Sequence, residues 1–297
     1  MSGQRYQQLL ADLRADYRPQ REWGEGRGVL LVVGHFLVGI AGGTWLLSWW
    51  FGITAGLMTA VLLGGLGGLG HLAFLGRPER AFNMVRHWRT SWISRGFVGL
   101  TLFLAGGCLH LAFELAAPGG LAALIAGLAA LAGTLTIIGY MGFTYTASKG
   151  VPFWNSPLHP VLYIAYAVRG GVAMLLVLAA FGHASGAALM PLWLVVTGLV
   201  ALLFALELQG AAAGSDVAAR RSVHDILAGR LAAIFYGGTL AIGLGVPLAL
   251  GAAGGDYPVI MALVGLTSAA GDFFMKLSTV RAGVYRPLIV PRQRHRG

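Results

Sequence analysis

HLAFLGRPERAFNMVRHWRTSWISR, His71 to Arg95, decides how the rest of the chain is read, because here charge interrupts hydrocarbon. The stretch opens on the last turn of an apolar segment and breaks at Arg77-Pro78. It then carries Arg80, Arg86, His87 and Arg89 between Phe82, Trp88 and Trp92 before the next apolar run begins. Indole rings settle at the headgroup level of a bilayer, and arginines beside them reach outward to phosphate or to a docked protein. The stretch is therefore expected to be an interfacial connection between two membrane spans. Arg80, Arg86, Trp88, Arg89 and Trp92 are its candidates for docking a partner or lipid.

Working outward, apolar runs lie near 28–50, 54–75, 92–116, 120–147, 159–183, 187–210, 228–252 and 256–280. Each is long enough to cross about 30 Å of hydrocarbon at about 1.5 Å per helical residue. The 297 residues are 57% hydrophobic and only 11% charged, against about 25% charged in a soluble domain. These features predict an all-α membrane protein with eight transmembrane helices (28–280), a polar N-terminal segment (1–27) and a basic tail (281–297). Tight turns at Phe51-Gly52, Pro118-Gly119, Gly182 to Gly186 and Gly254 to Pro258 pair the spans into four helical hairpins. Ahead of them, RYQQLLADLRADYRPQ predicts a short surface helix that stops at Pro19, and the arginines preceding the first apolar run are not the pattern of a secretory signal. The single cysteine, Cys108, cannot make an internal disulfide or hold an iron–sulfur cluster on cysteine, so any cluster belongs to a partner.

The 21 lysines and arginines gather in the N-terminal segment, the longer second, fourth and sixth connections, the tail, and helix ends adjoining these; the four tight hairpins carry none. By the positive-inside rule both termini and the long connections are cytoplasmic, in a multi-pass protein of a bacterial inner membrane. The net charge of +10 is then a one-sided basic surface for anionic lipid or an acidic partner protein, and a nucleic-acid partner is not expected.

Ionisable residues inside the spans carry the chemistry, because charge at membrane depth is costly. His35 lies about two turns into the first span, and His71 about one turn from the end of the second. Glu207 and Gln209 end the sixth span, and Asp272 and Lys276, spaced to pair one turn apart, lie near the inner end of the eighth. Tyr140, Tyr145, Tyr163, Tyr166, Arg169 and Tyr236 fall in the same inner half, whereas the outer half offers only His110 and Glu114, with His183 and Asp256 at the rim. Clustered glycines, Gly34 to Gly43 and Gly64 to Gly70, let the first two spans approach closely.

The pair His35 and His71 admits three readings: haem ligation, hydrogen bonding to a quinone, or packing against carbonyls. Quinone chemistry requires a flat apolar slot, donors to two carbonyl oxygens and a proton carrier that titrates near neutrality. His35 and His71 suit the donor and carrier roles, Arg77 and Arg95 suit charge stabilisation of a reduced quinone, and Glu207 and Asp272 suit proton exchange with the cytoplasm. Haem is not favoured, no metal site is expected, and no series of ionisable groups joins the two halves as a proton pump requires.

LGRPERAFNMVRHWRTSWISR resembles the segment between the second and third helices in the membrane anchors of dimethyl sulfoxide reductase-type molybdoenzymes, the DmsC family, related more loosely to the NrfD family. HFLVGIAGGTWLLS, VPFWNSPLHP and GDFFMKLSTV resemble the family's first helix, the connection into its fifth, and the end of its eighth. The resemblance implies an eight-helix anchor that binds menaquinone or ubiquinone. Such an anchor exchanges electrons with a ferredoxin-like four-cluster iron–sulfur subunit attached to a molybdopterin catalytic subunit. Two positions depart from the family: Phe74 stands where it has histidine and Gly96 where it has glutamate, both implicated there in quinol binding. A pocket rebuilt around His35, His71 and Asp272 is therefore expected.

The familiar reductases place this loop outside the cytoplasm, whereas the charge rule places it inside here. That predicts a cytosolic substrate, a coenzyme A thioester or a sulfite-like oxyanion, oxidised with electrons passed to quinone. The alternatives are a purely structural anchor, a quinol-oxidising reductase anchor, or a transporter.

Overall fold

The computed structural model describes residues 3–14, 16–255 and 257–287. A surface helix α1 (Gly3–Arg14) precedes the spans α2 (Gly28–Phe51), α3 (Thr54–Leu75), α4 (Trp92–Ala116), α5 (Leu121–Thr146), α6 (Leu158–Ala180) and α7 (Gly186–Ala213). A short helix α8 (Val217–Leu227) follows. The chain then crosses as a π-helical stretch (Ile234–Gly245) continued by α9 (Val246–Gly254), and returns as α10 (Pro258–Arg281). Eight helices are thus long and apolar enough to cross a membrane, and their limits fall close to the expected ones. The seventh departs most: residues 228–231 are spent on turns before the span proper begins at Ile234.

Spans α2 to α5 make one half of the bundle, and α6, α7, the π-helical span and α10 the other. The most buried spans, α2 and α6, meet at the centre. Gly43 and Gly171 form that crossing: a methyl on Gly43 would overlap the Ala167 carbonyl, and one on Gly171 would overlap the Gly43 backbone. Lipid offers no hydrophobic drive for helix association, so such bare backbone contact is what holds the halves together. Gly52, at φ +67°, ends α2 in the left-handed region and lets the chain reverse into α3.

The tight hairpins all lie at one end of the bundle. The opposite end holds α1, the 76–91 connection, the 147–157 connection and α8. Within the 76–91 connection, Pro78–His87 forms 3₁₀ turns, and Ser91 caps α4 by accepting from Ser94 N at 3.4 Å. Asp216 caps α8, accepting from Ala218 N and Ala219 N at 2.9 and 3.2 Å.

The two ends of the membrane domain are laced together. Pro19 bridges Val284, Gln20 N donates to Gly283 O at 2.7 Å, Tyr285 N donates to Arg18 O at 2.8 Å, and Arg281 Nε donates to Gly24 O at 2.8 Å. Residues 288–297, the greater part of the expected basic tail, and Asp256 lie outside the described residues.

One basic residue breaks the expected distribution. Arg169 sits mid-way along α6, 4% exposed, rather than at a helix end. It is tolerated at that depth because its guanidinium is paired with a carboxylate and hydrogen bonded at all three nitrogens, as described below.

Candidate functional site

Helices α2 to α5 enclose a cavity of about 160 Å³ beside the 71–95 connection. A buried water needs only about 10–15 Å³ of such space, so a body many times larger fits. The walls are mostly hydrocarbon and aromatic: Leu31, Phe74, Leu75, Phe97, Leu100 and Met141, with Trp23 of the N-terminal segment closing one side. Three polar rings enter it, those of His35, His71 and Tyr140.

Glycine decides how these rings are arranged. A methyl on Gly34 would stand 2.9 Å from His71 Nδ1 and 3.0 Å from the Gly67 carbonyl, so only a bare α-carbon lets α3 press this close to α2. The His35 and His71 ring centroids are consequently 4.9 Å apart, in direct contact, which leaves no slot for a flat macrocycle between them. His71 Nε2 and the Tyr140 hydroxyl are hydrogen bonded at 3.1 Å. Both His35 Nδ1 and His71 Nδ1 are buried and without a partner. Buried polar atoms are almost always bonded; these two are exceptions, carried on rings that line an apolar cavity of the kind that takes a ligand.

Gly96 supplies the rest. A methyl there would overlap the Tyr140 ring, so the space that the resembling family gives to a glutamate is occupied here by a phenol. His35, His71 and Tyr140 thus line the cavity together, with Phe74 in the wall. Asp272 is not part of it.

Arg77 and Arg80 line a second cleft, about 450 Å³, together with Arg27. It shares Leu75 and Met84 with the cavity, so the three arginines flank the cavity's mouth. Arg95 is employed differently. Its Nε and Nη2 donate to the Trp88 and Arg89 carbonyls at 3.1 and 2.8 Å, and its guanidinium lies 4.2 Å over the Trp92 ring. Trp92 in turn stacks on Phe143 at 4.3 Å. Arg95 therefore fastens the connection onto α4 and α5, while Arg86, Trp88 and Arg89 remain exposed.

The two carboxylates expected to exchange protons lie outside the cavity. Glu207 accepts from Ser156 Oγ at 2.9 Å and is joined to His159 Nδ1 at 2.8 Å, with both acid and imidazole buried. Asp272 pairs with Arg169 rather than with Lys276. The guanidinium also donates to Thr197 Oγ1 at 3.0 Å and to the carbonyls of Ser268 and Gly243 at 3.3 and 2.6 Å, a fork that a lysine ammonium one turn away cannot match. Lys276 instead lies 5.6 and 5.9 Å over the rings of Tyr163 and Phe36. In the other leaflet His110 Nδ1 bonds the Ala123 carbonyl at 2.9 Å, and Glu114 accepts from Gly119 N at 3.2 Å, so both serve helix packing and turn capping.

Where the chain leaves the spans, burial that would raise the Asp216 carboxyl is outweighed by Arg286 and by the amides of Ala219 and Ala218, which hold it below the usual carboxylate range.

His159 is the site residue that sequence reasoning passed over. It sits between two prolines in SPLHP, at the very start of the expected fifth span, and it falls on the first turn of α6 bonded to Glu207. Tyr140 was noted only for its depth, since nothing in the sequence points it at His71.

With this geometry in place, comparison with known proteins gives one family match: the model described as "Polysulphide reductase, NrfD" covers residues 26–284. No curated protein matches the chain.

Proposed function

Because the chain belongs to the polysulphide reductase NrfD family, we propose that it is the quinone-reactive membrane subunit of a molybdenum oxidoreductase complex. It exchanges electrons with a four-cluster iron–sulfur subunit, itself joined to a molybdopterin catalytic subunit. The observation that carries this reading is the apolar cavity lined by two imidazoles and a phenol, set beside an arginine-flanked mouth. Menaquinone or ubiquinone, when bound there, supplies two-electron, two-proton chemistry.

The residues divide the labour. Leu31, Phe97 and Leu100 exclude water and hold an apolar ring. His35, His71 and Tyr140 supply the polar groups that engage carbonyl or hydroxyl oxygens, with the Tyr140 hydroxyl and His71 Nε2 bonded to each other. Arg77 and Arg80 favour negative charge at the mouth, and with the exposed Arg86, Trp88 and Arg89 they form the surface for the iron–sulfur partner or anionic headgroups.

The arginine-rich end faces the cytoplasm under the positive-inside rule. This favours oxidation of a cytosolic substrate, a coenzyme A thioester or a sulfite-like oxyanion, with electrons passing to quinone. Titration of the purified complex with a soluble quinone analogue, followed by quenching of tryptophan fluorescence at Trp23, tests the site. Saturable binding that weakens in His71→Ala is expected, and binding that is indifferent to both His71→Ala and His35→Ala refutes it. A reporter fused to the C-terminal tail and active only outside the cytoplasm would overturn the cytosolic substrate.

A further inference from the structure

Reduction or oxidation of a quinone moves protons as well as electrons, and the cavity's mouth is the wrong place for protons. Arg27, Arg77 and Arg80 ring it with fixed positive charge, which lowers the local concentration of protons as it raises that of anions. A different route leads out of the cavity through the interior.

The His35 ring stands edge-on to Tyr145 at 6.4 Å. Tyr145 lies 5.4 Å from Tyr163 and 5.9 Å from His159, and Tyr163 stacks on His159 at 5.9 Å. His159 then bonds Glu207, which Ser156 also holds. Along this line His35 Nδ1, the hydroxyls of Tyr145 and Tyr163, and His159 Nε2 are all buried without a partner. One orphaned polar atom is a packing accident, but four in successive contact are not what a satisfied core contains. Hydroxyls donate and accept at once and so pass a proton without ionising, and imidazole does the same through its two nitrogens. The four groups sit on rings packed in unbroken succession, the arrangement that a relay by hydroxyl rotation or bridging water requires.

The far end opens to the surface. Glu207 and Ser156 line a cleft of about 460 Å³ that also contains Asn155, Asp216 and Arg286, well apart from the arginine mouth. The other charged groups near the line are Lys276, over the Tyr163 ring, and the Arg169–Asp272 pair, which is closed on itself.

We propose that Tyr145, Tyr163, His159 and Glu207 form a proton relay between the cavity and this cleft, giving protons a port separate from the one used by electrons. The inference rests on the quinone reading above. For every two electrons delivered by an iron–sulfur carrier, two protons pass from Glu207 through His159 and the tyrosines to the His35 side of the cavity, and Glu207 recovers both from water in the cleft. With electrons flowing the other way, each transfer reverses and the cleft releases them.

Infrared difference spectra of the intact complex, reduced minus oxidised, test this together with stopped-flow reduction and analogue titration. A carboxylic-acid carbonyl band that responds to redox state, shifts in deuterium oxide and vanishes in Glu207→Gln is expected. Tyr145→Phe removes only an unpartnered hydroxyl, so it keeps the fold. It should slow quinone reduction by roughly a hundredfold, the usual scale for a lost positioned proton transfer, and enlarge the solvent isotope effect while analogue affinity is unchanged. Normal analogue binding with wild-type rates and isotope effect in Tyr145→Phe, or a persistent band in Glu207→Gln, overturns the relay alone. Absence of analogue binding in the wild type overturns the quinone reading and the relay with it.

Discussion

The two halves of the bundle each hold a cavity of about 160 Å³ with polar groups in an apolar wall, and they treat those groups in opposite ways. In the half built from α2 to α5, His35, His71 and Tyr140 line the space, and none of them is in an ion pair among the described residues. In the other half, Arg169 and Asp272 turn their charges on each other, and Thr197, Ser268 and Gly243 accept further guanidinium hydrogen bonds. The π-helical stretch contributes here, since the Gly243 carbonyl that accepts from Arg169 belongs to it. Polar residues at membrane depth therefore do not by themselves mark a ligand site. What distinguishes the first half is polar rings without a counter-charge, and what distinguishes the second is an ion pair.

The contrast breaks most severely at the closed pair. Asp272→Ala leaves a buried guanidinium uncompensated, and loss of one partner of such a pair costs about 3–5 kcal/mol. The expected result is a large fall in the thermal midpoint of the detergent-solubilised protein, largely restored when Arg169→Met is added. A restored double variant that still binds quinone analogue would show the second half to be scaffold, and one that loses binding would join the two halves functionally.

Gly96→Ala comes next. Its methyl meets the Tyr140 ring, and overpacking of this kind costs about 1–3 kcal/mol. The thermal midpoint should drop less than in Asp272→Ala, but analogue affinity should fall with it because Tyr140 holds His71. Unchanged affinity would show that Tyr140 moves aside freely.

Tyr140→Phe is milder. It removes the 3.1 Å bond to His71, worth about 0.5–1.5 kcal/mol net, so analogue affinity should weaken by up to about tenfold with the midpoint nearly unchanged. A midpoint shift comparable to that of Asp272→Ala would place this contact with the structural pairs instead.

The smallest effect lies outside the spans, at the surface counterpart of the closed pair. Asp216 is held below the usual carboxylate range in the folded chain, so its contribution is complete above the ordinary carboxylate value and is lost as pH falls through the lowered one. Amide hydrogen exchange in α8 should therefore accelerate on acidification, and Arg286→Ala should move that onset upward in pH. Exchange in α8 that ignores both changes would remove Asp216 from the account.

Span limits were legible because hydrocarbon thickness sets them: Gly28 to Phe51 and Trp92 to Ala116 fall where uninterrupted apolar sequence begins and ends. The turns after position 228 were not legible, since Ala228, Leu231, Ala232 and Ala233 are apolar enough to extend a span on paper. His35 and His71 were legible as a pair from depth alone. Their partner was not, because depth fixes a level along the bundle but not a direction around it. For the same reason Asp272 was matched with its neighbour in sequence, whereas its counter-ion crosses from another helix. Gly96 was legible as a departure from the family, but not the Tyr140 ring that occupies the space.

The lacing of residues 18–24 to residues 281–285 carries a consequence of its own. It makes the membrane domain topologically a loop, with its first and last spans tied at the same end. A permuted chain opened at Gly119 and joined across that seam would keep every helix neighbour, whereas cutting the seam itself would let the halves swing apart about the Gly43–Gly171 crossing.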